Sequence, residues 1–320
     1  MARRLLFILL LAVPALAQRA TAVGSIGFTV SDMDRSVAFY RDVLSFEKVS
    51  DTETWGEDVE RLTGVFGARI RTVTMRLGEE TIELTEFLTP KGRPIPDDSR
   101  SNDRWFQHIA IVVSDMDAAY ARLREHKVEH VSTAPQRIPD SNAAAAGIRA
   151  FYFRDPDDHN LEIIWFPRGK GDERWQRPAA RIFLGIDHTA LVVSNTNASL
   201  LFYRDLLGLR VAGESHNLGT EQAHLNLVEG AHLHISGLRA PGGAGVEFLD
   251  YLSPRDGRAY EGFRPNDVVH WQTAIAVDDL EAMVRKLREA RATFLSDGIA
   301  GGKALVRDPD GHAILLSRQP

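Results

Sequence analysis

The sequence has no cysteine among its 320 residues. Disulfides and thiolate metal ligands are therefore excluded, as is a lipid-anchored lipoprotein, which needs a cysteine at its cleavage site. Stability must come from packed apolar side chains, and this length suffices for about two domains with sizeable cores. Long apolar runs are also scarce. The stretch Leu5 to Leu16 is interrupted by Pro14 and is too short to cross a bilayer comfortably. No long basic patch stands out and the formal net charge is -6, so nucleic acid is not an expected partner. Hydrophobic residues at 44% and charged residues at 26% fit a soluble globular protein.

What stands at the N-terminus reads as an export signal, residues 1–17. Arg3 and Arg4 form a short positive region, the apolar run follows, and Ala15-Leu16-Ala17 is a small-x-small cleavage site. The expectation is an exported protein, periplasmic or secreted, with no stable membrane insertion after processing. Either a monomer or a homodimer is compatible with the sequence.

One short strand is written four times. It reads Ser25-Ile26-Gly27-Phe28-Thr29-Val30, His108-Ile109-Ala110-Ile111-Val112-Val113, His188-Thr189-Ala190-Leu191-Val192-Val193 and Gln272-Thr273-Ala274-Ile275-Ala276-Val277. Alternation puts Ile26, Phe28 and Val30 on one face and Ser25, Gly27 and Thr29 on the other. Each copy runs into a polar cap and a helical pattern, such as Val37, Tyr40, Val43 and Leu44 after Ser31-Asp32. Further strands follow, including a hairpin over Ala68 to Leu77 and Thr81 to Leu88. Copies two and four reach their last strands through Asp155-Pro156-Asp157-Asp158 and Asp308-Pro309-Asp310-Gly311, a tight-turn signature. His159 and His312, at the ends of these turns, are expected at the surface.

The result is four β-α-β-β-β modules, arranged as a duplicated pair. Modules at 22–90 and 105–167 make a first unit of 22–167. A linker at 168–181 follows, and modules at 182–254 and 268–320 make a second unit of 182–320. The fold class is α+β.

The slot opening each first strand is Ser25, His108, His188 or Gln272, beside a small residue that leaves room for a ligand or ion. The last strands carry Glu83, Glu162 and Glu247 at matched positions, with Leu315 in the fourth module. A carboxylate between apolar neighbours on an inner strand is costly to bury unless paired or bound to metal. Nitrogen and oxygen donors without sulfur suit a divalent ion such as Zn, Ni, Mn, Fe or Co in an open site. His232 and His234, alternating on one strand, either line a cup or mark a solvated face. Trp105, Phe106 and Trp271 precede slot residues and either wall a pocket or pack the core.

Across nearly all of the mature chain these motifs resemble the vicinal oxygen chelate superfamily of glyoxalase I, methylmalonyl-CoA epimerase, extradiol dioxygenases and the fosfomycin and bleomycin resistance proteins. The resemblance rests on the His-x-Ala-x-x-Val-x-Asp segment at His108, on Phe39-Tyr40-Arg41-Asp42 with Phe202-Tyr203-Arg204-Asp205, and on the Asp-Pro-Asp turn leading to Glu162. It implies cup-shaped mixed sheets, with metal ligands at the slot residues and last-strand acids: His108, Glu162, His188, Glu247 and Glu83. If neighbouring modules pair, each site lacks part of its set. If modules exchange, the middle two supply His108, Glu162, His188 and Glu247 together, and the outer two form a degenerate site. The sorting of intact ligands favours exchange. Ser25 and Gln272 are expected as relics or supporting groups.

The implied activity is that of an exported metal-dependent enzyme on a small oxygen-chelating substrate, of lyase, isomerase or dioxygenase type. Glu162 or Glu247 would move the proton. A glyoxalase I reaction is not expected, because thiol-conjugate substrates are less expected outside the cytoplasm. Extradiol cleavage at a C-terminal site is not expected with Gln272 and Leu315 there. The alternative is non-catalytic sequestration of a small molecule, of the bleomycin-resistance type.

Overall fold

A computed structural model describes residues 19–318. The expected export signal lies outside the described residues. Module one comprises β1 (Ala20–Thr29), α1 (Met33–Asp42), β2 (Glu47–Trp55), α2 (Glu57–Thr63), β3 (Arg69–Leu77) and β4 (Glu80–Thr89). Module two comprises β5 (Gln107–Val113), α3 (Met116–Glu125), β6 (Gln136–Arg137), β7 (Arg149–Arg154) and β8 (Asn160–Trp165). Module three comprises β9 (Phe183–Val193), α4 (Thr196–Leu200, running into a π-helical turn at Leu201–Leu206), β10 (Arg210–Leu218), α5 (Thr220–Asn226), β11 (His232–Arg239), β12 (Gly242–Gly243) and β13 (Gly245–Ser253). Module four comprises β14 (Trp271–Val277), α6 (Leu280–Glu289), β15 (Thr293–Phe294), β16 (Lys303–Arg307) and β17 (Ala313–Arg318). The short helices α2 and α5 are additions to the four-strand pattern read from the sequence.

The strand-to-helix junctions repeat because their caps repeat. Asp32, Asp115, Asn195 and Asp279 each accept a backbone N–H from the first turn of the following helix. Beneath the helices, the bulky face of each first strand enters one large core that includes Ile26, Phe28, Ile109, Ile111, Leu191 and Ile275. Each such side chain, buried to within 1% of complete, contributes roughly 1.5–3 kcal/mol of transfer free energy.

Two sheets form, and each crosses the sequence halves. One runs β15-β16-β17-β14-β1-β4-β3-β2 and joins module four to module one. The other runs β10-β11-β13-β9-β5-β8-β7-β6 and joins module three to module two. The first strands meet antiparallel at both seams: Gly27 opposite Gln272 in the outer sheet, and Ala110 opposite His188 in the inner one. Modules are therefore exchanged between the halves.

Within each half the modules are held together through the helices. Tyr40 of α1 donates its hydroxyl to Asp155 at 3.0 Å, and Tyr203 of module three donates to Asp308 at 3.1 Å. Asp155 also accepts the backbone N–H groups of Asp157 and His159, while its other oxygen meets His159 Nδ1 at 2.9 Å. His312 repeats this arrangement with Asp308 at 3.0 Å. Both histidines are buried, at 0% and 3% exposure, which corrects their expected surface position. The tight turns look solvent-facing in sequence, but a tyrosine from the preceding module covers each of them. Burial lowers the His159 pKa, yet the Asp155 charge and hydrogen bond outweigh it and leave the imidazole raised.

Candidate metal centre

The inner sheet brings His108, Glu162 and His188 into one group whose donor atoms lie within 4.8 Å of one another. Strand pairing explains why. His108 on β5 lies opposite Ala190, and His188 on β9 lies opposite Ala110, so the two rings approach across the seam over two small side chains. Their centroids are 6.0 Å apart. Glu162 pairs with Ala110 on the parallel neighbour β8, and Glu247 pairs with Ala190 on the parallel neighbour β13. His108, Glu162 and His188 thus converge from three strands, with Glu247 beside His188 from a fourth.

The donors are spaced for a shared ion. His108 Nε2 is 3.1 Å from Glu162 Oε2, His188 Nε2 is 3.7 Å from that same oxygen, and His188 Nε2 is 3.5 Å from Glu247 Oε2. Ligand bonds of about 2.0–2.2 Å at tetrahedral angles place neighbouring donors roughly 3.3–3.6 Å apart. His188 Nε2 is buried without a hydrogen-bond partner, although a buried polar atom normally finds one. The residues present fit a divalent metal.

His188 is oriented from behind. Its Nδ1 meets Asp187 Oδ2 at 3.0 Å, and Asp187 in turn accepts from Arg239 Nη2 at 2.8 Å and Trp175 Nε1 at 2.9 Å. A carboxylate on Nδ1 fixes the ring and leaves Nε2 for the site. Burial opposes charge on His188, but Glu247, Asp187 and Glu162 prevail and raise its pKa to about 9. The surrounding protein desolvates Glu247 and raises its carboxyl, with Glu162 adding repulsion against the opposing pull of His188 and His108.

Sequence reasoning passed over Asp187. Strict alternation turns it away from the slot face. The register skips it, however, with Ala110 facing His188 and Ile111 facing Ile186, so a bulge brings its carboxylate beside the ring. The signal was an acid immediately before a slot histidine.

Glu83 does not join this group. It lies on β4 opposite Gly27, in the outer sheet, and lines a separate cup with Gln272 and Leu315. Gln272 leans over Gly27, where an added Cβ would stand 2.9 Å from Gln272 Cγ. Ser25 lines a different gap, beside Gly24, Glu79 and Glu80. Among the described residues, no metal-ligating trio forms in the outer cup. His234 faces away from the inner cup, with Thr196 Oγ1 at 3.3 Å and Glu214 Oε1 at 3.2 Å.

The mouth of the inner cup is closely packed. Phe106, Tyr152, Leu225, Leu233, Leu249 and Tyr251 form an apolar cluster around the donors. The helix α5 is tied down across it, because the Ser132 hydroxyl donates to the Leu225 carbonyl at 2.7 Å. The Tyr152 ring lies tilted against His108 with centroids 4.8 Å apart, and burial pushes its phenol well above the usual tyrosine value. Trp105 and Trp271 are buried away from these donors, Trp105 against Phe263 and Trp271 against Phe28. Glu247 retains the most access, with 25% of its side chain exposed.

Comparisons with known proteins agree with this architecture. The Glyoxalase/Bleomycin resistance protein/Dioxygenase superfamily profile matches residues 22–163 and 185–316. A 2-epi-5-epi-valiolone epimerase from Actinomyces sp. is 35% identical over 157 residues, 47% of this chain and 82% of that protein. The metallothiol transferase FosB of Staphylococcus epidermidis is 26% identical over 145 residues, 45% of this chain and 80% of that protein. In fold, glyoxalase I from Zea mays superposes with a TM-score of 0.60 at 15% identity, over 94% of this chain and 92% of the maize chain.

Proposed function

Because the chain belongs to the Glyoxalase/Bleomycin resistance protein/Dioxygenase superfamily, we propose that it is a metal-dependent enzyme of isomerase type acting on a small molecule with two neighbouring oxygens. The observation that carries this reading is the buried, partnerless His188 Nε2 facing two carboxylates and a second histidine nitrogen. His108, His188 and Glu162 would hold the ion, with Glu247 as a fourth donor or as the base. When bound, the metal supplies charge stabilisation for an oxygen that becomes negative as a neighbouring C–H bond is broken.

The protein's own groups divide the remaining work. Glu162 is held 3.1 Å from His108, whereas Glu247 is more accessible and accepts no hydrogen bond among the described residues. Glu247 is therefore the group to take a proton from the carbon beside a carbonyl and to return it. Asp187 fixes the His188 ring, and Phe106, Leu233 and Tyr251 exclude water from the reacting end. The epimerase relative from Actinomyces supports the isomerase class over the lyase and dioxygenase classes. One observation favours the non-catalytic alternative: the same apolar side chains crowd the donors and would equally suit retention of a ligand without turnover.

The test is metal-dependent hydrogen exchange. The protein loaded in turn with Zn, Ni, Mn, Fe or Co is incubated with dihydroxyacetone in D2O, and α-proton loss is followed by NMR. Exchange should require one of these metals and fall at least about 100-fold in Glu247→Gln, with metal content retained. Equal exchange by wild type and Glu247→Gln would remove the base from Glu247. Metal retention without any exchange would favour the binding-only role. Export is part of the proposal, supported by Arg3, Arg4 and the Ala15-Leu16-Ala17 site. Mass spectrometry of the mature protein should find a chain beginning at Gln18, and an intact Met1 on cytoplasmic protein would contradict it.

A further inference from the structure

Among the described residues the outer cup gathers no metal-ligating trio, yet it is open. It encloses a cavity of about 400 Å³, within the usual range for small-molecule sites. The register of the sheet builds its wall. Thr29 pairs with Thr85, Thr85 with Thr72 and Thr72 with Thr52, which makes a continuous row of threonines across four strands. His270 extends the row, because its carbonyl accepts the Thr29 N–H at 3.0 Å. All five residues line the cavity. Two residues along each strand, on the same face, lies a second row: Gln272, Gly27, Glu83 and Thr74.

Much of this polar wall has no protein partner. The side chains of Thr72, Thr74, Thr85 and Glu83 make no hydrogen bond or ion pair among the described residues. His270 is 4% exposed and its Nδ1 is buried without a partner, whereas buried polar atoms are normally satisfied. Across from this wall stand Leu62, Leu305 and Leu315, while Phe87 follows Thr85 along the same face of β4. Leu315 stands where Glu162 stands in the other cup: it pairs with Ala274 as Glu162 pairs with Ala110. The cup therefore offers the Glu83 carboxylate, an imidazole nitrogen and a line of hydroxyls opposite Leu62, Leu305 and Leu315, with Asp58 and Lys303 also on its lining.

We infer that the outer cup is a second, metal-independent binding site for a small neutral hydroxylated ring compound. The ring's face lies on the Leu62 and Leu315 side. Its hydroxyls donate to Glu83 and exchange hydrogen bonds with the threonine row. Glu83 is the anchor, because a hydrogen bond to an ionised acceptor is worth about twice a neutral one. This site stands independently of any chemistry at His108 and His188.

Resorcinol is the probe, since its two hydroxyls are not vicinal and cannot chelate one ion. It is titrated into the full-length mature protein by calorimetry and two-dimensional NMR, before and after treatment with EDTA. Resorcinol should bind, should shift signals of Thr72, Thr85 and Gln272, and should bind equally well after metal removal. Glu83→Gln, which keeps the shape of the side chain, should weaken binding about tenfold. Thr72→Val should weaken it several-fold, while His188→Ala should leave it unchanged. No binding at 10 mM (roughly the weakest affinity worth naming), binding unaffected by Glu83→Gln, or binding abolished by EDTA or by His188→Ala would each overturn the inference.

Discussion

Tyr40→Phe isolates one of the contacts between modules one and two, which Ser31 and Arg35 on Asp157 and Arg122 on the Val43 carbonyl supplement. The substitution keeps the ring, which is fully buried against Phe28 and Phe46, and removes only the hydroxyl that reaches Asp155 at 3.0 Å. A hydrogen bond to a charged acceptor contributes about 1.5–3 kcal/mol. Asp155 would still be held by His159 and two backbone N–H groups, so the low end applies, about 1.5 kcal/mol. For a chain of 320 residues, at about 2.1 cal/mol/K of unfolding entropy per residue, that corresponds to a melting temperature lower by about 2 °C. Circular dichroism against temperature and urea measures it.

The pH profile supplies a second, independent reading. Burial raises the Asp155 pKa, but the His159 charge and hydrogen bonds more than reverse this and leave it lowered. Its contribution is present above the unfolded value of about 3.9 and is lost as pH falls through the folded one. The His159 pKa is raised, so its contribution is full below about 6.5 and is lost as pH rises through its folded value. The latch is therefore strongest between roughly pH 4 and 6.5. Tyr40→Phe should lower stability while keeping this shape, and Asp155→Asn should flatten both limbs. An unchanged melting temperature in Tyr40→Phe, with an unchanged pH profile in Asp155→Asn, would show that the Tyr-Asp-His latch contributes nothing.

Two further outcomes follow from the packing and from the support behind the site. Asp187→Asn should weaken metal binding about 10- to 100-fold, measured by competition with a chromophoric chelator, because the His188 ring loses its orienting carboxylate. Phe248→Ala, deep in the common core beside Tyr203, should cost about 3–5 kcal/mol in chemical denaturation without altering the metal stoichiometry of the folded protein.

The sequence carried the modular plan because the same strand and cap recur. Ile26, Ile109, Leu191 and Ile275 occupy one register of alternation, and alternation is local information. The candidate donors are legible for the same reason: His108, Glu162, His188 and Glu247 hold equivalent places in two copies, and the inner sheet brings His108 and His188 together with Glu162, Glu247 lying beside His188. Partner choice among modules is not local. The joining segments allow either closure, and only tertiary pairings such as Arg93 with Asp267 and Arg258 with Asp103 reveal how the crossings are pinned. Glu83 illustrates the consequence. It matches Glu162 and Glu247 in sequence, yet exchange carries it to a cup whose other positions are Gln272 and Leu315. His159 and His312 were misplaced because their covering tyrosines lie more than a hundred residues away in sequence, at Tyr40 and Tyr203.

Metal content measured by inductively coupled plasma mass spectrometry on wild type, His108→Ala, His188→Ala and Glu83→Gln decides whether the inner sheet holds the ion. The exchanged inner sheet predicts one divalent ion per wild-type chain, lost in both histidine variants and retained in Glu83→Gln. An ion that survives His188→Ala but disappears in Glu83→Gln would contradict it.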